Sequence, residues 1–182
     1  MSNWPLEIDT MPPFVYLKNF ITPEKCEEII NIGKKKGTFE GQVGFGAKSV
    51  VDKKVRKSSI VFLHHTDGLG RFFQELTSAV LSLNKQFYNF HISSFSEGLQ
   101  FTHYKAPGQK YGKHFDRGPN GIIRKLSVSI QLSDPKKYKG GDLHIFDGED
   151  PIKTLRDQGT LIMFPSFMIH EVTPVKKGER FS

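Results

Sequence analysis

The chain has 182 residues, with 26 Lys and Arg against 19 Asp and Glu, a formal net charge of +7 at pH 7, and a single cysteine. A chain of this length forms a hydrophobic core without metals or disulfides, and one cysteine excludes an intramolecular disulfide and any cysteine-rich zinc or iron–sulfur site. Because the N-terminal stretch lacks a signal-peptide pattern and no apolar run reaches about 18 residues, we expect a cytoplasmic protein without a membrane segment.

The first predicted elements are a strand at residues 14–17 and a helix that begins after Thr22. Thr22 is a suitable N-cap and Pro23 a suitable first helical residue, because the N–H that proline lacks would have no partner there. The helix is predicted to end near Gly37, with an apolar face made of Cys26, Ile29, Ile30 and Gly33. We therefore expect Cys26 to be a buried core residue and not a reactive thiol.

A glycine-dotted, basic stretch at residues 41–54 predicts a mobile loop and a candidate lid, and residues 57–63 predict the next strand. A second amphipathic helix of about five turns follows. Its predicted apolar face consists of Leu69, Phe72, Phe73, Leu76, Val80, Leu83 and Phe87. Spacing of three and four residues is that of a buried helix face, so we expect these side chains to form core.

From residue 99 onward the hydrophobic period changes from helical to two, which is typical of strands. Strands are predicted at residues 99–104, 126–132, 142–146 and 160–164. Turn-forming Gly, Pro, Asn and Asp separate them, and no crossover helix lies between them. The pattern predicts an antiparallel sandwich or barrel that carries the two helices on one side.

His114 and Asp116 are two residues apart, so an extended strand would project both side chains from one face. An imidazole and a carboxylate projected together are two ligands of the 2-His-1-carboxylate triad that holds non-haem Fe(II). His170, which follows the predicted strand at residues 160–164, is the candidate third ligand. The alternative interpretation of the His114–Asp116 pair is a surface ion pair.

Arg180 follows His170 near the end of the chain and lies two residues before Ser182. If this end forms a strand, Arg180 and Ser182 share a face. A guanidinium at this position is suited to bind a dicarboxylate co-substrate through two parallel hydrogen bonds.

Together these motifs resemble a known family, the Fe(II)/2-oxoglutarate-dependent dioxygenases, and within it the prolyl 4-hydroxylase-like group that includes bacterial and phage PKHD-type hydroxylases. The matching stretches are residues 20–26, 104–116, 124–135, 138–143 and 170–180. The resemblance implies a mainly β fold with N-terminal helices, in which a double-stranded β-helix (jelly-roll) core is supported by α-helices. It implies a single domain over residues 1–182, with a helical support region at about 1–95 and the jelly-roll core at about 96–182.

The resemblance also implies roles for individual residues. It places iron on His114, Asp116 and His170, which are then the catalytic residues, and the distal carboxylate of 2-oxoglutarate on Arg180. Co-substrate contacts are implied for Tyr104, Gln131 and Ser182, although Gln131 and Ser182 equally suit polar residues that line the barrel. Tyr111 is implied at the mouth of the site, near the substrate. Of the remaining histidines, His103 is expected in the core, and structural roles are expected for His64, His65, His91 and His144.

The implied activity is hydroxylation of a substrate C–H bond, with conversion of 2-oxoglutarate to succinate and carbon dioxide. The implied cofactors are Fe(II) and 2-oxoglutarate, with ascorbate as a further candidate, and the leading target is a prolyl residue in a peptide or protein. The turn at residues 118–121 is a second candidate lid element. The oligomeric state stays open.

Two alternatives remain at this point. A nucleobase-demethylating oxygenase of the same superfamily would suit the basic charge, but those enzymes resemble a pattern with two arginines after the distal histidine, and here only Arg180 follows it. A non-catalytic, basic β-sandwich that binds nucleic acid or acidic partners is the other. The lysines occur in short, scattered runs, which favours a solvated basic surface and leaves an acidic partner open. Relatives also continue past the arginine motif into a final apolar strand, whereas this sequence stops at Ser182.

Overall fold

Most strands of this protein form two antiparallel sheets, and one further pair of short strands forms a separate two-stranded sheet, in a computed structural model that describes residues 10–44, 49–95, 97–116 and 123–182. The helices are α1 (Pro23–Lys36) and α2 (Gly70–Leu83). The strands are β1 (Val15–Leu17), β2 (Phe39–Glu40), β3 (Arg56–Lys57), β4 (Ser59–Leu63), β5 (Leu99–Lys105), β6 (Lys110–His114), β7 (Leu126–Ile130), β8 (Lys139–Gly140), β9 (Leu143–Phe146), β10 (Pro151–Lys153), β11 (Leu161–Pro165), β12 (Ile169–Val172), β13 (Val175–Lys177) and β14 (Glu179–Phe181). No helix within the described ranges is long and apolar enough to cross a bilayer.

The sheet topology is that of a jelly roll. One sheet has the strand order β10-β9-β12-β6-β3. The other is built from the groups β14-β5-β4-β2 and β1-β11-β7, which meet where the Leu132 N–H donates to the Phe181 carbonyl at 3.1 Å. Strands far apart in sequence are therefore neighbours in both sheets, and the predicted double-stranded β-helix with supporting helices is confirmed.

Helix α1 covers the sheet that contains β4 and β5. Thr22 accepts a hydrogen bond from the Lys25 N–H at 3.3 Å, as predicted for the N-cap. The predicted apolar face is buried, with Cys26 fully so. A Cβ added at Gly33 would lie 2.6 Å from the Phe101 ring, so glycine permits the close approach of helix and sheet. The helical and stranded regions share this core, and the single-domain interpretation stays a prediction.

The second helix departs from its prediction at the C-terminal end. Residues 84–88 form a π-helical turn, which contains one more residue per hydrogen-bonded turn than an α-helix. The extra residue rotates Tyr88 into the core, where its hydroxyl donates to the Met163 carbonyl at 3.3 Å. Phe87, predicted on the buried face, is 39% exposed, so that prediction is wrong.

The predicted loop at residues 41–54 starts along the edge of β4 and folds back on itself. The Gly41 N–H donates to the Ser58 carbonyl at 2.8 Å, and Val43 and Val50 form an isolated antiparallel bridge. Its role as a lid stays a prediction. The second candidate lid, residues 118–121, lies outside the described residues.

Candidate active site

Strand pairing brings the two distant histidines together. In the register of β6 and β12, His114 lies directly opposite His170. Their ring centroids are 4.1 Å apart. His170 is buried because its strand lies between β6 and β9 in the middle of the sheet.

A β-bulge in β6 sets which side chains face the site. His114 pairs with His170 and Tyr111 pairs with Val172, so β6 contains one residue more than β12 between these two pairs. In a regular strand, side chains three apart point to opposite faces. Here the extra residue puts Tyr111 and His114 on the same face, and their rings stack with centroids 3.6 Å apart and planes at 17°.

Asp116 completes the cluster just beyond the end of β6. Its backbone N–H donates to the Ser166 carbonyl at 2.8 Å, which holds this segment against the turn before β12. Oδ1 lies 3.7 Å from His114 Nε2, and Oδ2 lies 3.5 Å from His170 Nε2. Ser127 on β7 donates a hydrogen bond to Oδ2 at 2.7 Å and so orients the carboxylate.

The histidines present the ring nitrogens that a metal ion needs. His114 Nδ1 lies 2.7 Å from the Gly112 carbonyl, and His170 Nδ1 lies 3.0 Å from the Met168 carbonyl. Because a carbonyl only accepts, each Nδ1 carries a proton, and each Nε2 is the ring nitrogen turned toward Asp116. Burial, with the nearby His170, lowers the pKa of His114 to about 4 and keeps this imidazole neutral.

The three side chains fit a divalent metal ion. Their ligand atoms all lie within 4.8 Å of one another, and two neutral imidazoles with one carboxylate are the donor set of non-haem Fe(II). The hydrogen bonds to Gly112, Met168 and Ser127 are the outer contacts that usually orient metal ligands.

A buried guanidinium lies in the same cavity. Arg180 is 1% exposed and pairs across β14 and β5 with Tyr104, whose ring centroid is 5.4 Å from the guanidinium carbon. Nη2 donates to Gln131 Oε1 at 3.0 Å and Nη1 donates to Ser182 Oγ at 3.2 Å. Within the described residues, Nε has no hydrogen-bond partner and no carboxylate lies within 4 Å of the side chain. Arg180 therefore offers positive charge to a ligand.

The cavity has a volume of about 1230 Å³. Its wall includes the three cluster residues together with Tyr104, Tyr111, Ser127, Ser129, Arg180 and Ser182. Gln131 does not line it: this side chain is 2% exposed, lies behind Arg180, and also donates to the Leu155 carbonyl at 3.1 Å. The predicted site residues thus meet in one place, with Gln131 touching Arg180 and not the cavity.

The histidines expected to be structural lie outside this cluster. His103 is half-buried and stacks on Phe181 with ring centroids 4.4 Å apart. His144 pairs with Glu171 at 3.1 Å, on the sheet face opposite to His170.

The sequence interpretation missed Arg56. It belongs to one of the short basic runs that were expected to be solvated, but it is 5% exposed and lines the cavity, so that expectation is wrong for this residue. Its cross-strand partner is Tyr111. The only signal in the sequence was its position directly before the predicted strand, next to residues that the fold buries.

Comparisons with known proteins identify similar sequences. The family model of the 2OG-Fe(II) oxygenase superfamily matches residues 99–182. A PKHD-type hydroxylase of Shewanella baltica (strain OS155) is 41% identical over 87 residues, which cover 44% of this chain and 38% of that protein. A PKHD-type hydroxylase of Sphingopyxis alaskensis is 35% identical over 123 residues, covering 65% of this chain and 56% of that protein. The matches thus span about half or less of these curated relatives.

Solved structures share the fold. A prolyl hydroxylase from Trichoplax adhaerens, in complex with a peptide fragment of the hypoxia inducible factor oxygen degradation domain, superposes with a TM-score of 0.76 at 20% identity and covers 93% of this chain and 80% of that chain. A prolyl-4-hydroxylase from Pseudomonas putida gives a TM-score of 0.72 at 18% identity, covering 93% of this chain and 88% of that chain. At these identities the likeness shows the jelly-roll fold.

Proposed function

We propose that the protein is an Fe(II)- and 2-oxoglutarate-dependent dioxygenase that hydroxylates a prolyl residue in a peptide or protein. The match of residues 99–182 to the family model of the 2OG-Fe(II) oxygenase superfamily supports this proposal. The observation that carries the proposal is the convergence of His114, Asp116 and His170 with the buried Arg180 in one cavity. In this arrangement, a binding site for a metal ion and a binding site for a dicarboxylate lie in the same cavity.

His114, Asp116 and His170 would hold the iron. Three protein ligands leave open positions on a six-coordinate ion, where a co-substrate can bind. When bound, iron and 2-oxoglutarate would supply oxidation by O2: one oxygen atom of O2 would enter a substrate C–H bond, and the other would enter succinate as 2-oxoglutarate loses carbon dioxide. The protein's own part is to orient the imidazoles through the Gly112 and Met168 carbonyls and to fix the carboxylate through Ser127.

Arg180 would bind the distal carboxylate of 2-oxoglutarate. Because Gln131 and Ser182 each take one of its terminal nitrogens, the plane of the guanidinium is fixed before the ligand arrives. Tyr104 and Ser182 line the same part of the cavity and are proposed as further co-substrate contacts. Gln131 acts through Arg180 and is a positioning residue. No described residue is assigned to ascorbate, which stays a prediction.

The mouth of the cavity supports a peptide substrate. Five of its lining residues are apolar side chains exposed by 45% or more: Phe39, Leu81, Phe95, Phe115 and Ile123. Exposed apolar side chains around a polar centre are typical of a binding surface. Once covered by a peptide, they would exclude water from the oxidising centre.

The proposed function is tested by absorption spectroscopy under anaerobic conditions. The wild-type protein with Fe(II) and 2-oxoglutarate should show a weak metal-to-ligand charge-transfer band in the visible range, and His114→Ala should show none. His144→Ala is the matched control, because this histidine lies in the neighbouring strand but on the opposite sheet face. Absence of the band from the wild type would refute the proposal.

The hydroxylated residue is identified by mass spectrometry. A peptide pool incubated in air with the protein, Fe(II) and 2-oxoglutarate should gain one oxygen atom at proline. A gain of one oxygen atom at another residue would support the dioxygenase activity and refute the prolyl substrate.

A further inference from the structure

Arg56 is a buried cation in the cavity wall with one donor left free. Its Nε donates to Ser58 Oγ at 2.9 Å, and its Nη1 donates to the Gln42 carbonyl at 3.1 Å. Nη2 has no hydrogen-bond partner among the residues that the structure describes, although the side chain is 5% exposed. A buried N–H without an acceptor is costly, so this nitrogen marks a place where a ligand atom would be stabilising.

The position of Arg56 is fixed relative to the metal cluster. Its guanidinium carbon lies 4.5 Å from the centroid of the Tyr111 ring, and the His114 imidazole stacks on the same ring with the two centroids 3.6 Å apart. Arg56 and the proposed iron ligand His114 therefore both contact the Tyr111 ring.

The charge of Arg56 is not balanced by the protein. No carboxylate of the described residues lies within 4 Å of it. Asp116, the acidic member of the proposed metal cluster, is held by Ser127 and lies between the two histidines. Arg180 is the proposed partner of 2-oxoglutarate, so the co-substrate does not supply an anion for Arg56. A buried guanidinium without a counter-ion is unfavourable, and an incoming carboxylate would remove that cost.

We infer that Arg56 selects a substrate with a carboxylate near the hydroxylated carbon, that is, an acidic peptide with Asp or Glu within about two residues of the modified one. The inference rests on the proposed function and names its substrate class. An extended peptide advances about 3.3–3.6 Å per residue, so a side chain one or two residues away spans the distance between the iron ligands and Arg56. The net charge of +7 favours approach of the same kind of substrate.

The test uses two peptides that differ only in charge. They are the acetylated amides of Ala-Asp-Pro-Asp-Ala and Ala-Asn-Pro-Asn-Ala, which have nearly the same shape and place the acid on both sides of proline. Binding is measured by anaerobic calorimetry with Fe(II) and 2-oxoglutarate present. The wild type should bind the Asp peptide about 10- to 100-fold more tightly than the Asn peptide, since a charged partner in a buried site adds that order of affinity.

Arg56→Met should reduce this ratio to about one, whereas Arg56→Lys, which keeps the charge, should retain part of it. Arg71→Met is the control, because it removes the same charge from a helix surface where the side chain is 91% exposed, and it should leave the ratio unchanged. Circular dichroism establishes that each variant is folded, and Arg56→Lys decides the question if Arg56→Met is not.

Three results would overturn the role of Arg56: equal affinity of the two peptides in the wild type, an undiminished ratio in folded Arg56→Met, or no binding of either peptide. If Arg56→Met does not fold, the test rests on Arg56→Lys. A ratio of Asp-peptide to Asn-peptide affinity in Arg56→Lys equal to that of the wild type would overturn the role of the planar guanidinium. The charge-transfer band measured on the same samples depends on the iron site and not on Arg56. Its absence from the wild type therefore refutes the proposed function, which distinguishes the two failures.

Discussion

Replacing Arg180 with alanine tests the proposed co-substrate site most directly. Arg180 is 1% exposed, and its guanidinium is already oriented by Gln131 and Ser182. Arg180→Ala would leave the distal carboxylate of 2-oxoglutarate buried without its cation. We expect weak co-substrate binding with little change in iron binding, because Arg180 is not among the residues that form the metal cluster.

The size of the effect follows from the burial of the pair. Removing one partner of a buried charge pair costs roughly 3–5 kcal/mol, and each 1.4 kcal/mol is about a factor of ten in affinity. The Kd for 2-oxoglutarate should therefore rise by about 100-fold to several thousand-fold. Arg180→Lys keeps the charge but lacks the planar fork, so a rise of about tenfold is expected. Gln131→Leu removes one hydrogen bond to the guanidinium, which is worth about 1.5–3 kcal/mol, and should raise the Kd by about 10- to 100-fold.

The assay is an anaerobic titration of 2-oxoglutarate into the Fe(II)-loaded protein, followed by the charge-transfer band. Iron binding is measured separately by equilibrium dialysis, and Arg71→Ala serves as a surface control. An unchanged Kd in Arg180→Ala would refute the assignment of Arg180. A parallel loss of iron binding would show instead that the substitution damages the whole site.

Three further outcomes are expected. Ser127→Ala removes the hydrogen bond to Asp116 and should weaken iron binding by about 10- to 100-fold in equilibrium dialysis. Ser129→Ala is the control from the same strand face, and iron affinity in Ser127→Ala equal to that of the wild type would contradict this role. Burial, partly opposed by Glu179, lowers the pKa of His103 below its usual 6.5, so the unfolded chain binds more protons near that pH and the free energy of unfolding should fall as the solution is acidified from pH 7 to about pH 5. His103→Phe should make that dependence shallower in urea denaturation, and an identical slope would count against it. Gly33→Ala places a Cβ 2.6 Å from the Phe101 ring and should lower the free energy of unfolding by about 1–3 kcal/mol, whereas no change in the denaturation midpoint would mean that the ring moves freely aside.

Much of the fold was predictable because it depends on local patterns. The period-two stretches became strands of the two sheets, and Thr22, Pro23 and Gly37 mark the ends of α1 as expected. These features arise from burial of one face and from capping of backbone groups, and neighbouring residues determine both. The spacing of His114 and Asp116 belongs to the same class of local signal.

The sequence-based predictions failed where a helix or strand departs from its regular side-chain periodicity. The π-helical turn at residues 84–88 replaced Phe87 with Tyr88 in the core, and the bulge in β6 brought Tyr111 onto the face of His114. One inserted residue changes every later side-chain direction in the element. Whether it is inserted depends on packing against distant strands, so a periodicity count does not detect it.

By itself, the sequence determined the type of each main element and the chemical groups of the candidate site, because residue identity and spacing carry that information. These groups are two imidazoles, a carboxylate and a guanidinium. Only the tertiary structure decided which groups are buried together. Pairing of β6 with β12 placed His114 opposite His170. Pairing of β3 with β6 buried Arg56 against Tyr111, although the sequence predicts a solvated basic run there. Whether a charged side chain such as Arg56 is desolvated and lacks a counter-ion depends on contacts between residues far apart in the chain, and these contacts exist only in the folded protein.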